Sequence, residues 1–381
     1  MLLTRPSLKP ANANHFFVWV LVPQFHTEDE NLDYYCDFSQ SIEEYTKTFA
    51  ALSIPWKWQP VTIFDYATII DEIAASKTIY TPVVLNLCDG DEVNGVPGIS
   101  VVKLLEEKGL VYTGADEHFY NITTSKIHMK RAFDKARVPT PPWQEVGEHD
   151  QHSDIIFEKL GCPLIVKPAI SGGSMGVGVK SVVNNKTELA KQIKLLYEGY
   201  RGWKLTAGGV IAEAFITGPE FTVFIIGSYD QPHRCHIYPP VERVFHASLP
   251  DKEKFLSFDR LWEIYEHEES MPNEENFYDY QLPEASLVDE IKKLSWDAYV
   301  ATGGKGYTRV DIRMDKTTGK MYVLEVNAQC GISEDENYTS IGAILRLGKN
   351  SFSEAVLEII NDAFTRSAAR KMPENVTALA V

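Results

Sequence analysis

Tyr307-Thr-Arg-Val-Asp-Ile-Arg-Met314 and Met321-Tyr-Val-Leu-Glu-Val-Asn327 are two runs that alternate polar and apolar residues. Alternation is the period of a half-buried strand, and Asp315-Lys-Thr-Thr-Gly-Lys320 between them reads as a hairpin turn. Strand side chains repeat every two residues, so Arg309 and Asp311 share one face, as do Glu325 and Asn327. A register with Asp311 opposite Glu325 puts Arg309 opposite Asn327 and leaves residues 316–320 as the loop. Val310, Ile312, Leu324 and Val326 then form a core face on the other side. Facing carboxylates repel, so the pairing demands a compensating cation. Hard oxygen ligands with room left for phosphate suit Mg2+. From this segment alone, a solvated hairpin face is the competing reading.

The chain of 381 residues is long enough for two or three domains with sizeable cores. Its 44% hydrophobic and 24% charged residues are ordinary globular composition. A net charge of −16 argues against a nucleic-acid partner, which needs clustered Lys and Arg, but leaves room for a nucleotide. Cys36, Cys88, Cys162, Cys235 and Cys330 are scattered, odd in number and without a CxxC pair, which reads as reduced thiols in the cytoplasm. Phe16-Phe-Val-Trp-Val-Leu-Val22 is too short to span a membrane, and Pro23-Gln-Phe-His-Thr-Glu28 offers no small-residue cleavage site. We read it as a first buried strand.

The first third alternates strand and helix patterns, which predicts a parallel sheet with helices on its faces. A helix is expected over 39–52, with Ile42, Tyr45, Phe49 and Leu52 as its apolar stripe and Ser39 as cap. Val83–Leu87 and Val111–Gly114 follow as strands, with a helix from Ile99 to Lys108 between them. One helix is expected over 119–137, carrying Lys126, Lys130 and Arg131 and stopped by the linker Val138-Pro-Thr-Pro-Pro142. His149 and His152 lack the spacing of a helical metal pair. Strands 164–167, 178–183, 209–213 and 220–226 come next, with helices over 186–200, 286–302 and 351–364 and a frayed tail over 366–381. Segment 246–283 shows no clear periodicity and is dense in acids and aromatics.

Lys167-Pro-Ala-Ile-Ser-Gly-Gly-Ser-Met-Gly-Val-Gly178 joins a lysine at a strand end to a glycine-rich loop. Such a loop can turn successive N–H groups around an anion while the lysine supplies a point charge for phosphate. It matches neither the P-loop nor the dinucleotide-binding spacing, and in isolation it reads equally as a glycine-rich hairpin. Glu213 and Glu220 flank a Gly218-Pro219 turn; carboxylates there can accept from an adenine amino group or a ribose hydroxyl, or simply be solvated.

Taken in order, these segments resemble the ATP-grasp family, and within it the D-alanine–D-alanine ligase branch. The likeness runs from about Val83 to Phe364. It rests on Val111-Tyr-Thr-Gly114, Thr124-Ser-Lys126, Ile165-Val-Lys-Pro168, Gly172-Gly-Ser-Met-Gly176, Gly218-Pro-Glu-Phe-Thr222, Arg309-Val-Asp311, and Leu324-Glu-Val-Asn327 with Gly331. The resemblance implies an α/β chain of the α+β ATP-grasp kind: an N-terminal parallel α/β domain (1–125), then two α+β subdomains (126–220 and 221–381) that clamp ATP between antiparallel sheets.

It further implies that Lys126 and Lys167 contact the phosphates of ATP, with Gly172, Gly173, Ser174 and Met175 closing over them. Glu213 would meet the adenine edge and Glu220 the ribose. The backbone at Ala214 and Ile216 would read the base between apolar walls of Ile165, Phe215 and Leu324. Asp311, Glu325 and Asn327 would hold two Mg2+ ions, with Mn2+ as a substitute. Arg309 and the Gly331 N–H would stabilise the oxyanion of a tetrahedral intermediate. The implied reaction phosphorylates a small-molecule carboxylate, which an amine then attacks to give an amide, ADP and phosphate. A hydroxyl or thiol acceptor, or a nucleotide-binding regulator without turnover, are the alternatives; a homodimer is left open.

Departures from the ligase pattern fall on the substrate side. Leu21-Val-Pro-Gln-Phe-His26 stands where the ligases carry an acid that holds an ammonium group, and Asn86-Leu-Cys-Asp-Gly-Asp-Glu92 where they carry a histidine. Gly173 replaces a serine, Arg260 and Trp262 stand near the place of a Lys-Tyr pair, and Glu334, Asp335 and Glu336 bring acids where small and hydroxyl side chains are usual. The expected substrates are therefore not two D-alanines; the acids read either as favouring a cationic or polyamine-bearing one or as a solvated acidic loop. Segment 246–283 is expected to be a lid, with Phe255, Phe258, Trp262 and Tyr265 as its apolar underside; an accessory helical insertion packed on the surface is the alternative.

Overall fold

The computed structural model describes residues 16–25, 29, 37–147, 150, 155–272, 275–337 and 339–371. His26, His149, His152 and the tail beyond 371 lie outside them. In chain order the main elements are β1 (Phe16–Pro23), α1 (Ser39–Leu52), β2 (Trp56–Val61), α2 (Tyr66–Ala75), β3 (Thr81–Asn86), α3 (Ile99–Glu107), β4 (Val111–Tyr112), α4 (Glu117–Thr124), α5 (Lys126–Ala136), β5 (Trp143–Val146), α6 (Ile155–Leu160), β6 (Leu164–Pro168) and β7 (Val182–Val183). The chain continues through α7 (Lys186–Glu198), β8 (Val210–Ala214), β9 (Glu220–Ser228), β10 (His236–Ile237), β11 (Val241–Phe245), α8 (Phe258–Leu261), β12 (Tyr278–Gln281), α9 (Val288–Ala301), β13 (Lys305–Met314), β14 (Met321–Ala328), α10 (Ser340–Gly348) and α11 (Phe352–Lys371).

Three sheets result. The first, β2-β1-β3-β4, is parallel, as strand–helix alternation predicts. The second, β5-β8-β6-β7, and the third, β12-β11-β9-β13-β14 with β10 on β9, are antiparallel. The first and third sheets share two apolar cores: Leu21, Val84 and Tyr112 join Val223 and Val310 in one, and Val20 and Leu85 join Ile226 and Val356 in the other. The second sheet has a core of its own, built on Val166, Leu189, Ile193 and Ala212.

Four expectations are corrected. Residues 119–137 form two helices rather than one. Ser125 between them is extended (φ −105°, ψ 120°), and the Lys126 N–H leaves the helical ladder to donate to Ala169 O at 2.8 Å. That break starts a new helix at Lys126. The buried stripe of α1 is turned from the expected one: Ser41, Glu44, Tyr45, Thr48 and Phe49 are buried while Ile42 is 39% exposed, because the helix seats Tyr45 against Phe352 of α11. Only Val182 and Val183 of 178–183 form strand; Val179–Ser181 is a short helical turn. The last helix reaches Lys371, holding Phe364 and the ion pair Arg366–Asp362 in place where fraying is expected.

One face of the third sheet changes character along its length. Tyr307, Phe224 and Ile226 are buried beneath α10 and α11. Two residues on, the same face carries Arg309, Asp311 and Thr222, then Arg313 and Glu220. The apolar half is core. The charged half is largely buried too, its ions paired with one another.

Candidate active site

Asp311 does stand opposite Glu325, and Arg309 opposite Asn327, but the register shifts immediately beyond Asp311, with Ile312 facing Val323. One extra residue on β14 makes a bulge at Leu324. Val323 is fully buried and Leu324 only half-buried, so the expected core position of Leu324 is corrected: the bulge turns Leu324 to the side of Glu325. The proline linker stabilises the irregularity. Val323 N–H donates to Pro139 O at 2.8 Å, and Thr140 Oγ1 donates to Val323 O at 2.9 Å.

The four polar side chains of the hairpin form one cluster. Arg309 Nε lies 3.1 Å from both oxygens of Asp311, and its Nη2 donates to Asp311 Oδ2 at 2.9 Å. Thr222 Oγ1 donates to Asp311 Oδ1 at 2.8 Å, and Asn327 Nδ2 reaches Asp311 Oδ2 at 3.0 Å and Glu325 Oε1 at 3.3 Å. Lys126 Nζ stands 3.9 Å from Glu325 Oε2. Burial pushes the Asp311 carboxyl up. Burial acts on Glu325 in the same direction, but Lys126, Lys167 and Arg309 outweigh it and hold that carboxyl below its usual range. The cations demanded by two facing acids are thus supplied from three separate elements.

A second charged cluster backs the first. Glu213 on β8 is 2% exposed, with Lys130 Nζ 2.7 Å from Oε2 and Lys167 Nζ 2.5 Å from Oε1. Burial opposes its charge, yet the two lysines hold its carboxyl down to about 2. Lys130 Nζ also donates to Thr140 Oγ1 at 2.6 Å. Glu220 lies between Arg243 and Arg313, accepting from Arg243 Nη1, with Arg313 Nη2 3.6 Å from Oε2. Arg243 in turn contacts Tyr280 through Nε (3.2 Å) and Nη2 (3.0 Å). Glu213 and Glu220 are therefore ion-paired and nearly buried in this structure, a setting their sequence positions alone do not reveal.

Ala214 N–H donates to Pro142 O at 2.9 Å, and Phe215 N–H to Pro163 O at 3.0 Å. Pro142 has no N–H to return, so the Ala214 carbonyl receives no ladder bond from that side and can accept from an amino group. Ile165 and Phe215 lie in a small apolar group with Val177, Val182 and Phe255, and Ile216 is buried beside them.

In the glycine-rich loop Gly173 (φ 52°) and Ser174 (φ 60°) are both left-handed. Segment 246–283 is seated on this loop: Trp262 Nε1 donates to Gly173 O at 2.8 Å, Ser174 Oγ to Leu256 O at 3.0 Å, Phe258 N–H to Val177 O at 2.8 Å and Val179 N–H to Glu268 Oε1 at 2.7 Å. The segment is more ordered than its lack of periodicity implies, because β12 pairs with β11 and α8 packs on the second sheet. Phe255 and Phe258 form the apolar underside; Tyr265, expected there, is 38% exposed. Met175 is buried, Gly172 exposed, and a Cβ at Gly331 would meet nothing nearer than Thr339 Cγ2 at 3.9 Å.

Among the described residues no group of three His, Cys, Asp or Glu side chains gathers as a metal site. The hairpin set is instead two carboxylates and an amide, a hard-oxygen donor set of the kind Mg2+ takes when other ligands come from phosphate. Sequence reading left Thr222, Lys130, Arg243 and Arg313 without a role. Parity was visible for Thr222, Lys130 and Arg313, but the strand that carries Arg243 was not expected, nor were the long-range partners of all four.

Residues 132–343, more than half of the chain, match the family described as D-ala D-ala ligase C-terminus. The chain belongs to that family. It is 29% identical over 238 residues to a D-alanine–D-alanine ligase of Marinomonas sp. (strain MWYL1), covering 61% of this chain and 64% of that protein. It is 27% identical over 263 residues to one of Neisseria meningitidis serogroup A (strain DSM 15465 / Z2491), covering 68% and 74%. The D-alanine–D-alanine ligase of Bacillus anthracis complexed with ATP superposes with a TM-score of 0.63 at 19% identity, covering 93% of this chain and 99% of that one. The fold is ATP-grasp, with its parallel N-terminal sheet and two antiparallel sheets.

Proposed function

We propose that this family member is an ATP-dependent carboxylate–amine ligase that forms an amide through an acyl phosphate and releases ADP and phosphate. The observation that carries the reading is the Asp311–Glu325–Asn327 face, set against Arg309 on one side and Lys126 and Lys167 on the other. The ligases named above act in the same sense by their names.

Bound ATP with Mg2+ supplies the phosphoryl group that converts a carboxylate oxygen into a leaving group. Asp311, Glu325 and Asn327 would hold the metal. Lys126 and Lys167 neutralise phosphate charge, and the loop 172–175 covers it with backbone N–H groups. The Ala214 carbonyl, the buried Ile165 and Phe215 and the half-buried Leu324 would receive the base, with Glu213, Glu220 and Ile216 around it. Arg309, held in a fixed fork by Asp311, and the open Gly331 N–H offer donors to the oxyanion of the reacting carbonyl. The seated segment 246–283 excludes water from an intermediate that would otherwise hydrolyse.

The substrate pair we propose is not two D-alanines. Asn86 stands buried at the end of β3 in a segment without histidine, and residues 334–336 add three acids beyond Gly331. Phosphate release measured with ATP and Mg2+ across pools of amino acids and carboxylic acids tests both parts. Release that depends on a carboxylate and an amine together, with product mass equal to their amide, is expected. Preference for D-alanine alone would overturn the substrate claim, and ATP binding without release in any pool would overturn the ligase claim.

A further inference from the structure

Two residues beyond Gly331, Ser333 Oγ donates to Glu44 Oε1 at 2.6 Å. Glu44 comes from the second turn of α1, between β1 and β2 in sequence. Gln40, one turn earlier, spans the junction: its Nε2 donates to Glu44 Oε1 at 3.2 Å and to Asp335 Oδ2 at 3.0 Å. The Asp335 N–H donates to Ser333 Oγ at 3.0 Å, which fixes the loop against the helix. Close approach is enforced from behind, since a Cβ at Gly342 of α10 would come within 2.6 Å of the backbone of residues 334–336.

Glu44 is 4% exposed, and its second oxygen, Oε2, has no hydrogen-bond partner. Nearby cations are engaged elsewhere: Lys47 pairs with Glu43 at 2.7 Å and Arg346 Nη2 with Glu336 at 2.5 Å. Among the described residues no Lys or Arg forms an ion pair with Glu44 or Asp335. Buried carboxylates are ordinarily paired, and one left with an orphan oxygen favours a cation supplied from outside the chain. We propose that Glu44 and Asp335, bridged by Gln40, form a subsite for a non-reacting ammonium group on the amine acceptor. The proposal rests on the ligase reading of the same site. Gly331 and Ser333 are two residues apart, at most about 7 Å. The acceptor class is therefore a short diamine or a basic amino acid, with its second nitrogen a few carbons from the reacting one.

Calorimetric titration of the full chain with putrescine and with butylamine tests the subsite without requiring turnover. Putrescine is expected to bind about 10- to 100-fold more tightly, the range of hydrogen bonds to a charged group. Asp335→Asn, which keeps an acceptor oxygen for the Asn337 N–H, is expected to remove at least about tenfold of that difference, and Glu44→Gln a similar share. Equal affinity for the two amines in the parent, or an undiminished difference in Asp335→Asn, would overturn the subsite. Phosphate release with ornithine against norvaline is the second arm: a preference for ornithine that falls in KM in both variants is expected, and no preference overturns the subsite. Tight putrescine binding that Asp335→Asn weakens, with no phosphate release from any acceptor, keeps the subsite and overturns the ligase reading instead.

Discussion

Asp311 on β13 and Glu325 on β14 are direct cross-strand partners, and the bulge immediately beyond them brings Leu324 to the same side. The ladder would be destabilised by two facing carboxylates in isolation. Here Arg309, Lys126 and Lys167 compensate from three elements. Asp311→Asn or Glu325→Gln is expected to abolish Mg2+-dependent phosphate release and weaken nucleotide binding while circular dichroism stays unchanged, since each removes a proposed charged metal ligand and little packing. Parent-like rates in either variant would remove the metal assignment.

Three lysines near the site should separate by role. Lys126→Ala and Lys167→Ala are expected to raise the ATP concentration needed for half-maximal rate, each having lost a cation proposed to face phosphate. Lys130 is fully buried on Glu213, so Lys130→Ala leaves that buried carboxylate with Lys167 alone and should cost up to about 3–5 kcal/mol of stability. Urea denaturation and ATP titration of the same three proteins distinguish the cases; unaltered stability in Lys130→Ala would sink the second.

Arg309→Ala should lower kcat by about 10²–10³-fold, with a much smaller change in KM, because its proposed partner is charge that develops at the reacting carbonyl. A loss confined to KM would make Arg309 a ground-state binder of phosphate or carboxylate.

Glu213 carries a pH signature. Its carboxyl is held down to about 2 from an ordinary 4.5, so its contribution to stability is present above pH 4.5 and is lost as pH falls toward 2. Glu213→Gln, though less stable at neutral pH, is expected to lose less on going from pH 5 to pH 2.5 than the parent. Equal losses in a urea-midpoint series would show that the ion pairs with Lys130 and Lys167 are energetically silent.

Trp262→Ala removes the hydrogen bond that ties segment 246–283 to Gly173. Proteolytic cleavage within 246–283 should then be faster, and ATP with substrate should slow it in both proteins. Cleavage unaffected by either change would make the segment a fixed insertion with no part in closure.

Short-range pattern determined a definite part of this protein. Period-two alternation placed Asp311 opposite Glu325 and Arg309 opposite Asn327, and strand–helix alternation indicated a parallel first sheet, because both depend only on which way successive side chains point. Local pattern could not determine that residues 119–137 break at Ser125, since the competing bond is to Ala169, 43 residues beyond Lys126. Nor could it turn α1 so that Glu44 rather than Ile42 is buried, a choice made by the helix packed across it. The bulge at Leu324 needs Pro139 and Thr140 to satisfy Val323. Glu213, Lys130 and Lys167 keep their charges in the interior only through one another. Parity along a strand is local. The partner that a buried charge meets is decided by the tertiary fold, because burial is a property of the whole packed chain.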